Sequence, residues 1–218
     1  MPARRQPAAA PSERRAEICR TAAQMIRERG FGATSVNDIA RALGITKAGL
    51  YHHITSKEAL LAEVLSFGMD QVDAEVCVPV KAIQDPEERL RQLVIRHARI
   101  VTRAHGAVTQ LVDEVPHLPP AARRRITRRM RAYFDLLRDT LVELRTSGRL
   151  GEVDPTVAAF SILGMIHWLP RWFQQGRRLT SARVAEEIAN LALGGLLRPE
   201  RAKARSLRIV RPATRRQP

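Results

Sequence analysis

The chain has 218 residues, of which 44% are hydrophobic, and a formal net charge of +15. This length supplies a core for one medium or two small domains, and the hydrophobic content excludes disorder throughout the chain. The positive charge favours an anionic partner, either a nucleic acid or a phosphate-bearing small molecule. No apolar run approaches the ~18–20 residues that a membrane-spanning helix requires, so no membrane association is expected.

Both ends of the chain are predicted to be flexible and basic. Residues 1–11 are rich in Pro, Ala and Arg, and residues 199–218 form an arginine-rich tail without helical periodicity. The N-terminal arm lacks the apolar stretch of a secretory signal, so a cytoplasmic location is the default expectation. Cys19 and Cys77 fall inside predicted helices, where free cysteines act as small hydrophobic residues. No cofactor or metal site is expected, because Cys and His residues do not occur at ligand spacing.

The most informative stretch is residues 34–58, after a first helix predicted from Ser12 to Arg29. Ser35 begins a capping box, which predicts a helix that ends at Gly44. Thr46 is a favourable N-cap for a short second helix. Two helices joined by a glycine turn are typical of a helix-turn-helix, whose second helix enters the major groove of DNA. The same spacing also fits an ordinary helical hairpin.

The second helix of this pair, residues 47–52, has side chains that suit DNA. Lys47, Tyr51 and His52 can donate hydrogen bonds to phosphates or base edges. Gly49 is small enough to let the backbone approach the DNA closely. These residues suit DNA binding, but the spacing alone leaves the DNA-binding interpretation and the plain hairpin about equally open.

The run from Phe31 to Leu60, which contains GATSVNDIARALGITKAGLYHHITSKEAL, resembles the DNA-binding domain of TetR-type transcriptional repressors. That family usually has Phe where this chain has Ile54. The resemblance implies an all-α protein, with residues 12–58 as a three-helix helix-turn-helix domain and residues 59–198 as a helical ligand-binding and dimerisation domain. It also implies a homodimer that binds an inverted-repeat operator in double-stranded DNA.

The expected DNA contacts combine this resemblance with the polar groups at helix starts. Lys57 matches a lysine that the family commonly has at this place. Thr34 and Ser35 stand at a helix N-terminus, where backbone amides bind phosphates. The candidate DNA-binding residues are Thr34, Ser35, Thr46, Lys47, Gly49, Tyr51, His52 and Lys57.

The rest of the chain shows only helical periodicity, which gives about nine helices in all. A long fourth helix is predicted from Ser56 to Val76, with Pro79 ending it. The later helices are expected over residues 85–101, 105–115, 121–147, 154–168 and 181–197. The last two offer more apolar surface than one small bundle can cover. They are therefore predicted to form a four-helix dimer seam.

The segment HWLPRWFQQGRRLT, residues 167–180, resembles RWY-x-x-G-G-x-L-(S/T) in TetR-type regulators that respond to acyl-CoA thioesters of lipid or steroid catabolism. Phe173 replaces the tyrosine and Arg177 the second glycine. A thioester of this kind needs an apolar slot, aromatic walls and cations for its phosphates. The candidate effector-binding residues are His97, Gln110, Tyr133, Phe134, His167, Trp168, Arg171 and Trp172, with Asp113 as a further polar candidate. Each also fits an ordinary core or interface residue.

Other functions stay open on sequence alone. A repressor of an efflux gene that senses a hydrophobic drug fits the same pattern, and a helical adaptor with a basic protein- or RNA-binding surface is the alternative from another class. The arginines between Arg123 and Arg131 fit either a phosphate site or a solvent-exposed helix face. An enzyme is not expected, because the chain has no glycine-rich phosphate loop and no nucleophile elbow.

Overall fold

The computed structural model describes residues 11–103 and 111–198, and this part of the chain is helical, with a single β-bridge between Leu150 and Leu197. The helices are α1 (Pro11–Arg29), α2 (Val36–Ala42), α3 (Lys47–Tyr51), α4 (Lys57–Val72), α5 (Val78–Lys81), α6 (Pro86–Val101), α7 (Pro120–Thr146), α8 (Pro155–Trp172) and α9 (Ser181–Leu196). The all-α fold and the prediction of about nine helices are confirmed. The predicted arm (except Pro11) and the predicted tail lie outside the described residues.

The first three helices form a small domain with its own apolar core. α1 packs against α2 and α4, and α2 packs against α3. The core side chains are at most 8% exposed, and those of the first three helices include Ile18, Cys19, Ala22, Ile26, Val36, Ile39 and Leu50. They recur at helical spacing, which is why the charged residues of α1 face away from the core.

The fourth helix continues past Pro79, which corrects the prediction that this proline ends it. α4 passes through a π-helical turn, Asp73–Cys77, directly into α5. Proline has no N–H, so Pro79 cannot donate to the carbonyl of Glu75 one turn earlier. Arg96 of α6 donates to that carbonyl instead, at 3.3 Å. The extra residue of the π-turn and this side-chain donor let the helix accommodate the proline.

The helix predicted over residues 105–115 has a different type and different bounds in the structure. Residues 104–110 lie outside the described residues, and a 3₁₀ helix, Leu111–His117, follows them. Pro116 lies inside this 3₁₀ helix. α8 is also longer than predicted, because it continues past Pro170 to Trp172.

The C-terminal helices surround α6, which lies against α7, α8 and α9. Asp85, Asp154 and Thr180 cap α6, α8 and α9 by accepting from amides of their first turns. The two domains share continuous packing, since Leu111, Leu118 and Ile126 belong to the core of the first domain. Among the described residues, no helix combines the length and apolar character needed to cross a bilayer.

Candidate DNA-binding surface and effector cavity

A reciprocal capping box fixes the start of α2. The Ser35 hydroxyl accepts from the amide of Asp38 at 3.1 Å, and the Asp38 carboxylate accepts from the amide of Ser35 at 3.3 Å. The Ser35 hydroxyl also donates to this carboxylate at 2.5 Å, and these bonds lower the pKa of Asp38. The capping box predicted from sequence is therefore present at the start of α2.

The turn between α2 and α3 uses a left-handed glycine. Gly44 has φ +66°, and its amide donates to the carbonyl of Arg41 at 3.1 Å. Thr46 then caps α3 by accepting from the amide of Gly49 at 3.0 Å. Leu50 is fully buried and attaches α3 to the core. The short helix is thus held by one cap and one apolar anchor.

The outward face of α3 carries the predicted DNA-binding groups. Thr46, Lys47, Tyr51 and His52 are exposed, and the Lys47 ammonium lies 5.9 Å from the Tyr51 ring centroid. Gly49 leaves room for the cap of α3, because a Cβ there would lie 3.2 Å from the Thr46 hydroxyl. A larger residue would therefore press on the cap of α3.

Thr34 is not available to DNA, which corrects its prediction as a contact. Its side chain is fully buried and its hydroxyl donates to the carbonyls of Gly30 at 2.9 Å and Met25 at 3.3 Å. The amides of Thr34 and Ser35 are also engaged, by Phe31 and Asp38 respectively. A phosphate at this helix start would instead meet the first helical amides, which have no intrahelical acceptor.

Lys57 at the start of α4 lies close to the α1–α2 turn. Its ammonium donates to the carbonyl of Gly32 at 3.2 Å and lies 4.3 Å from the Phe31 ring centroid. Asn37, His53 and Thr55 are exposed polar residues in the same domain that the predicted DNA-binding set omits. Their exposure in the folded domain makes them further candidates for DNA contact, whereas their sequence positions alone give no such indication.

A cavity of about 550 Å³ lies between the end of α1, the 3₁₀ helix and α8. The lining residues are Ile26, Arg27, Gly30, Leu111, Val112, Asp113, Glu114, Gly164, His167, Trp168, Pro170 and Arg171. Three of the predicted effector residues, His167, Trp168 and Arg171, therefore meet in one cavity, together with Asp113.

A buried polar pair lies behind one wall of this cavity. The Tyr133 hydroxyl is 2.8 Å from His97 Nδ1, and the His97 ring packs edge-on against His167 with centroids 5.5 Å apart. Burial lowers the pKa of His97 to about 3 and raises the pKa of Tyr133. Burial also lowers the pKa of His167, while Asp113 opposes that change. His97 and Tyr133 are neutral, and His97 contacts His167, which lines the cavity.

The remaining predicted effector residues lie elsewhere. Trp172 lines a second cavity of about 170 Å³ with Phe173, Gln174, Arg177, Arg178 and Leu179. Phe134 packs against Phe160 with ring centroids 4.6 Å apart and lines neither cavity. Gln110 lies outside the described residues. The predicted set is therefore divided between two cavities and the core.

Arg123, Arg125 and Arg129 of the α7 cluster have partners, and Arg125 donates to the Ser66 hydroxyl at 3.5 Å. Arg129 pairs with Asp70 at 2.8 Å and with Asp73 at 2.5 Å, which joins α7 to α4 and the π-turn. Arg123 donates to the carbonyls of Pro116 at 2.8 Å and Leu118 at 3.2 Å. Arg123 and Arg129 therefore stabilise the junction of the domains.

Comparison with known proteins matches both parts of the chain to one family. Residues 18–64 match the family described as bacterial regulatory proteins, tetR family. Residues 84–196 match the tetracyclin repressor-like, C-terminal domain. The resemblance seen in the sequence is therefore confirmed over most of the chain.

Individual relatives agree. The HTH-type transcriptional repressor KstR2 of Rhodococcus jostii (strain RHA1) is 31% identical over 191 residues, covering 86% of this chain and 93% of the relative. The structure of AibR in complex with isovaleryl coenzyme A and operator DNA is 38% identical, with a TM-score of 0.74, covering 82% of this chain and 97% of AibR. The ketosteroid transcriptional regulator KstR2 of Mycobacterium tuberculosis is 28% identical, with a TM-score of 0.78, covering 89% and 100%. The chain belongs to the TetR family of bacterial regulatory proteins.

Proposed function

We propose that the protein is a transcriptional repressor that binds an inverted-repeat operator as a homodimer and leaves it when an acyl-CoA thioester binds. The observation that carries the DNA-binding part is the outward face of α3. Leu50 is buried beneath this helix, while Lys47, Tyr51 and His52 are exposed on it. A helix anchored in this way can enter a major groove without losing its own packing.

An inverted repeat has two half-sites, and the α3 helix of one chain reads only one of them. Operator binding therefore requires a second copy of the chain. Two copies place their α3 helices in major grooves roughly one turn (~34–36 Å), or a multiple of it, apart. The last helices supply the surface for this pairing, because large apolar side chains on α8 and α9 are solvent-exposed. These side chains are Val157, Phe160, Trp168, Trp172 and Leu191. Pairing through the same face in both copies gives the two-fold axis that an inverted repeat requires.

The size of the larger cavity and the side chains that line both cavities support an acyl-CoA thioester as the effector. A volume of about 550 Å³ lies within the ordinary range of ligand sites. Trp168 supplies an aromatic face, and Arg171 lies over it with its guanidinium 4.8 Å from the ring centroid. Arg177 and Arg178 line the smaller cavity nearby. Cations beside aromatic walls suit a CoA thioester better than an uncharged drug. AibR, a structural relative, has been solved with isovaleryl coenzyme A.

A gel shift against the DNA upstream of the protein's own gene tests the DNA-binding part. Tyr51→Ala is expected to weaken operator binding by about 10- to 100-fold, as loss of a base-edge contact costs ~1–3 kcal/mol. Val78→Ala, an exposed position on α5, is the control and is expected to bind normally. Equal affinity for unrelated DNA at physiological salt, with no effect of Tyr51→Ala, would contradict a sequence-specific repressor.

Titration of the protein–operator complex with acetyl-, isovaleryl- and palmitoyl-CoA tests the effector part. At least one thioester is expected to release the operator and to raise the Tm of the free protein, because a ligand stabilises the state that binds it. The corresponding free acids, which lack the phosphates, are expected to have no effect. If no thioester releases the operator or shifts the Tm, the effector is of another class.

A further inference from the structure

The larger cavity is not confined to the C-terminal domain. Ile26, Arg27 and Gly30, at the end of α1, form part of its wall, and residues of α8 form another part. α1 belongs to the same small domain as the helix-turn-helix. A molecule in this cavity would therefore contact the DNA-binding domain directly.

The third wall of the cavity, the 3₁₀ helix, is also bonded to the DNA-binding domain. Glu114 lines the cavity, and its carboxylate accepts from the Phe31 amide at 3.4 Å and lies 3.0 Å from His117 Nδ1. Leu111 lines the cavity as well, and its buried side chain belongs to the core of the first domain. Any ligand that moves this wall also moves contacts that position the DNA-binding domain.

Two cations line the cavity, Arg27 from α1 and Arg171 from α8. Arg27 donates to the side chain of Gln24 at 3.2 Å, and Arg171 stacks on Trp168. Neither guanidinium has a salt bridge within residues 11–103 and 111–198. The cavity lining also includes the carboxylates of Asp113 and Glu114, and Glu114 is bonded to Phe31 and His117. Both guanidinium groups are thus free to bind an anion, and their planar geometry suits phosphate oxygens.

We propose that Arg27 and Arg171 together bind the diphosphate of the CoA effector, so that the DNA-binding domain supplies part of the effector site. This inference rests on the function proposed above and specifies how the effector acts. The bound diphosphate ties the end of α1 to α8 and holds the DNA-binding domain in an orientation that does not match the operator. Because such coupling is reciprocal, operator binding weakens effector binding to the same extent.

Isothermal titration of the full-length, DNA-free protein with isovaleryl-CoA and palmitoyl-CoA tests the role of Arg27. Arg27→Gln is expected to bind the thioester about 10- to 100-fold more weakly than the unmodified chain, as expected for loss of charge-assisted hydrogen bonds. Arg27→Lys, which keeps the charge but not the planar group, is expected to lie between the two. Arg29→Gln is the matched control, because Arg29 is exposed on the same helix and does not line the cavity.

A parallel gel shift separates this inference from the proposed function. Arg27→Gln is expected to need at least ~10-fold more thioester for operator release, while its operator affinity without thioester stays within about threefold. If the thioester releases the unmodified chain and Arg27→Gln behaves identically, the inference is overturned and the proposed function stands. Equal losses in Arg27→Gln and Arg29→Gln also overturn it, because they indicate only a general effect of positive charge. If no thioester binds the unmodified chain, this inference fails together with the effector part of the proposed function, whereas the operator-binding part stands.

Discussion

The helix-turn-helix and the larger cavity are assembled from the chain in opposite ways. Each cap of the helix-turn-helix joins residues three positions apart, as Ser35 with Asp38 and Thr46 with Gly49 show. The cavity combines the end of α1 with the 3₁₀ helix and α8, which are far apart in sequence. The DNA-binding surface is therefore a local property of one stretch, whereas the cavity is a property of the folded chain.

This difference decides what a substitution does in each region. A change in the helix-turn-helix acts through one cap, one turn or one anchor, and its effect stays in that domain. A change in the cavity wall acts on two domains at once, because Glu114 and Leu111 belong to the wall and also hold the first domain. Substitutions that change one feature at a time test that contrast.

The largest effect is expected where the short α3 depends on a single buried side chain. Leu50→Ala is expected to lower the free energy of unfolding by about 2–5 kcal/mol, because it leaves a cavity beneath a fully buried leucine. Urea unfolding followed by circular dichroism measures this loss. Val78→Ala, at a side chain that is 64% exposed, is the control and is expected to change stability by at most about 0.5 kcal/mol. A cost below about 1 kcal/mol for Leu50→Ala would mean that α3 has another anchor.

A smaller effect, on the cavity side, is expected from the buried His97. Its pKa is lowered to about 3 in the folded protein, against ~6.5 in the unfolded chain. Between these values the unfolded chain binds more protons, so the stabilising contribution is complete above pH ~6.5 and is lost as the pH falls toward 3. Lowering the pH from 7.5 to 5.0 is therefore expected to remove about 2 kcal/mol through this residue.

The measurement is urea unfolding at both pH values in the original chain and in His97→Gln. Glutamine keeps a hydrogen-bonding group for Tyr133 but does not titrate, so the difference between the two pH values is expected to shrink. Some dependence on pH should remain, since burial lowers the pKa of His167 as well. An unchanged difference in His97→Gln would contradict a neutral, buried histidine behind the cavity.

The same contrast explains which parts of the structure could be predicted. The capping box, Gly44 and the Thr46 cap were predictable because each signal lies within a few residues of the bond that it forms. The length of the fourth helix was not, because Arg96, from another helix, supplies the donor that lets the chain pass Pro79. The burial of Thr34 was equally hidden, since it depends on how the α1–α2 turn packs.

The cavity was only partly predictable, for a related reason. The α8 segment around Trp168 and Arg171 stands out in the sequence because aromatic and basic residues alternate within it. Arg27 does not stand out, because it belongs to a charged helix face that appears fully solvated in isolation. Only tertiary packing brings this arginine to the cavity. Sequence periodicity therefore identifies faces of helices, but it does not say which exposed face lines a site.

The smallest predicted effect tests the local character of the helix-turn-helix most directly. Gly44→Ala is expected to cost about 1–2 kcal/mol, because an L side chain at φ +66° places its Cβ too close to the following carbonyl. Space is not the cause, as a Cβ at Gly44 would meet no atom within 4 Å. Gly32→Ala is the matched control, since that position is equally open but lacks a positive φ, and its cost should be at most about 0.5 kcal/mol. Thermal unfolding of the two variants compares them, and equal Tm values would mean that the turn between α2 and α3 adapts to a side chain. A lower Tm for Gly44→Ala together with unchanged thioester affinity would show that strain in the turn does not reach the effector cavity.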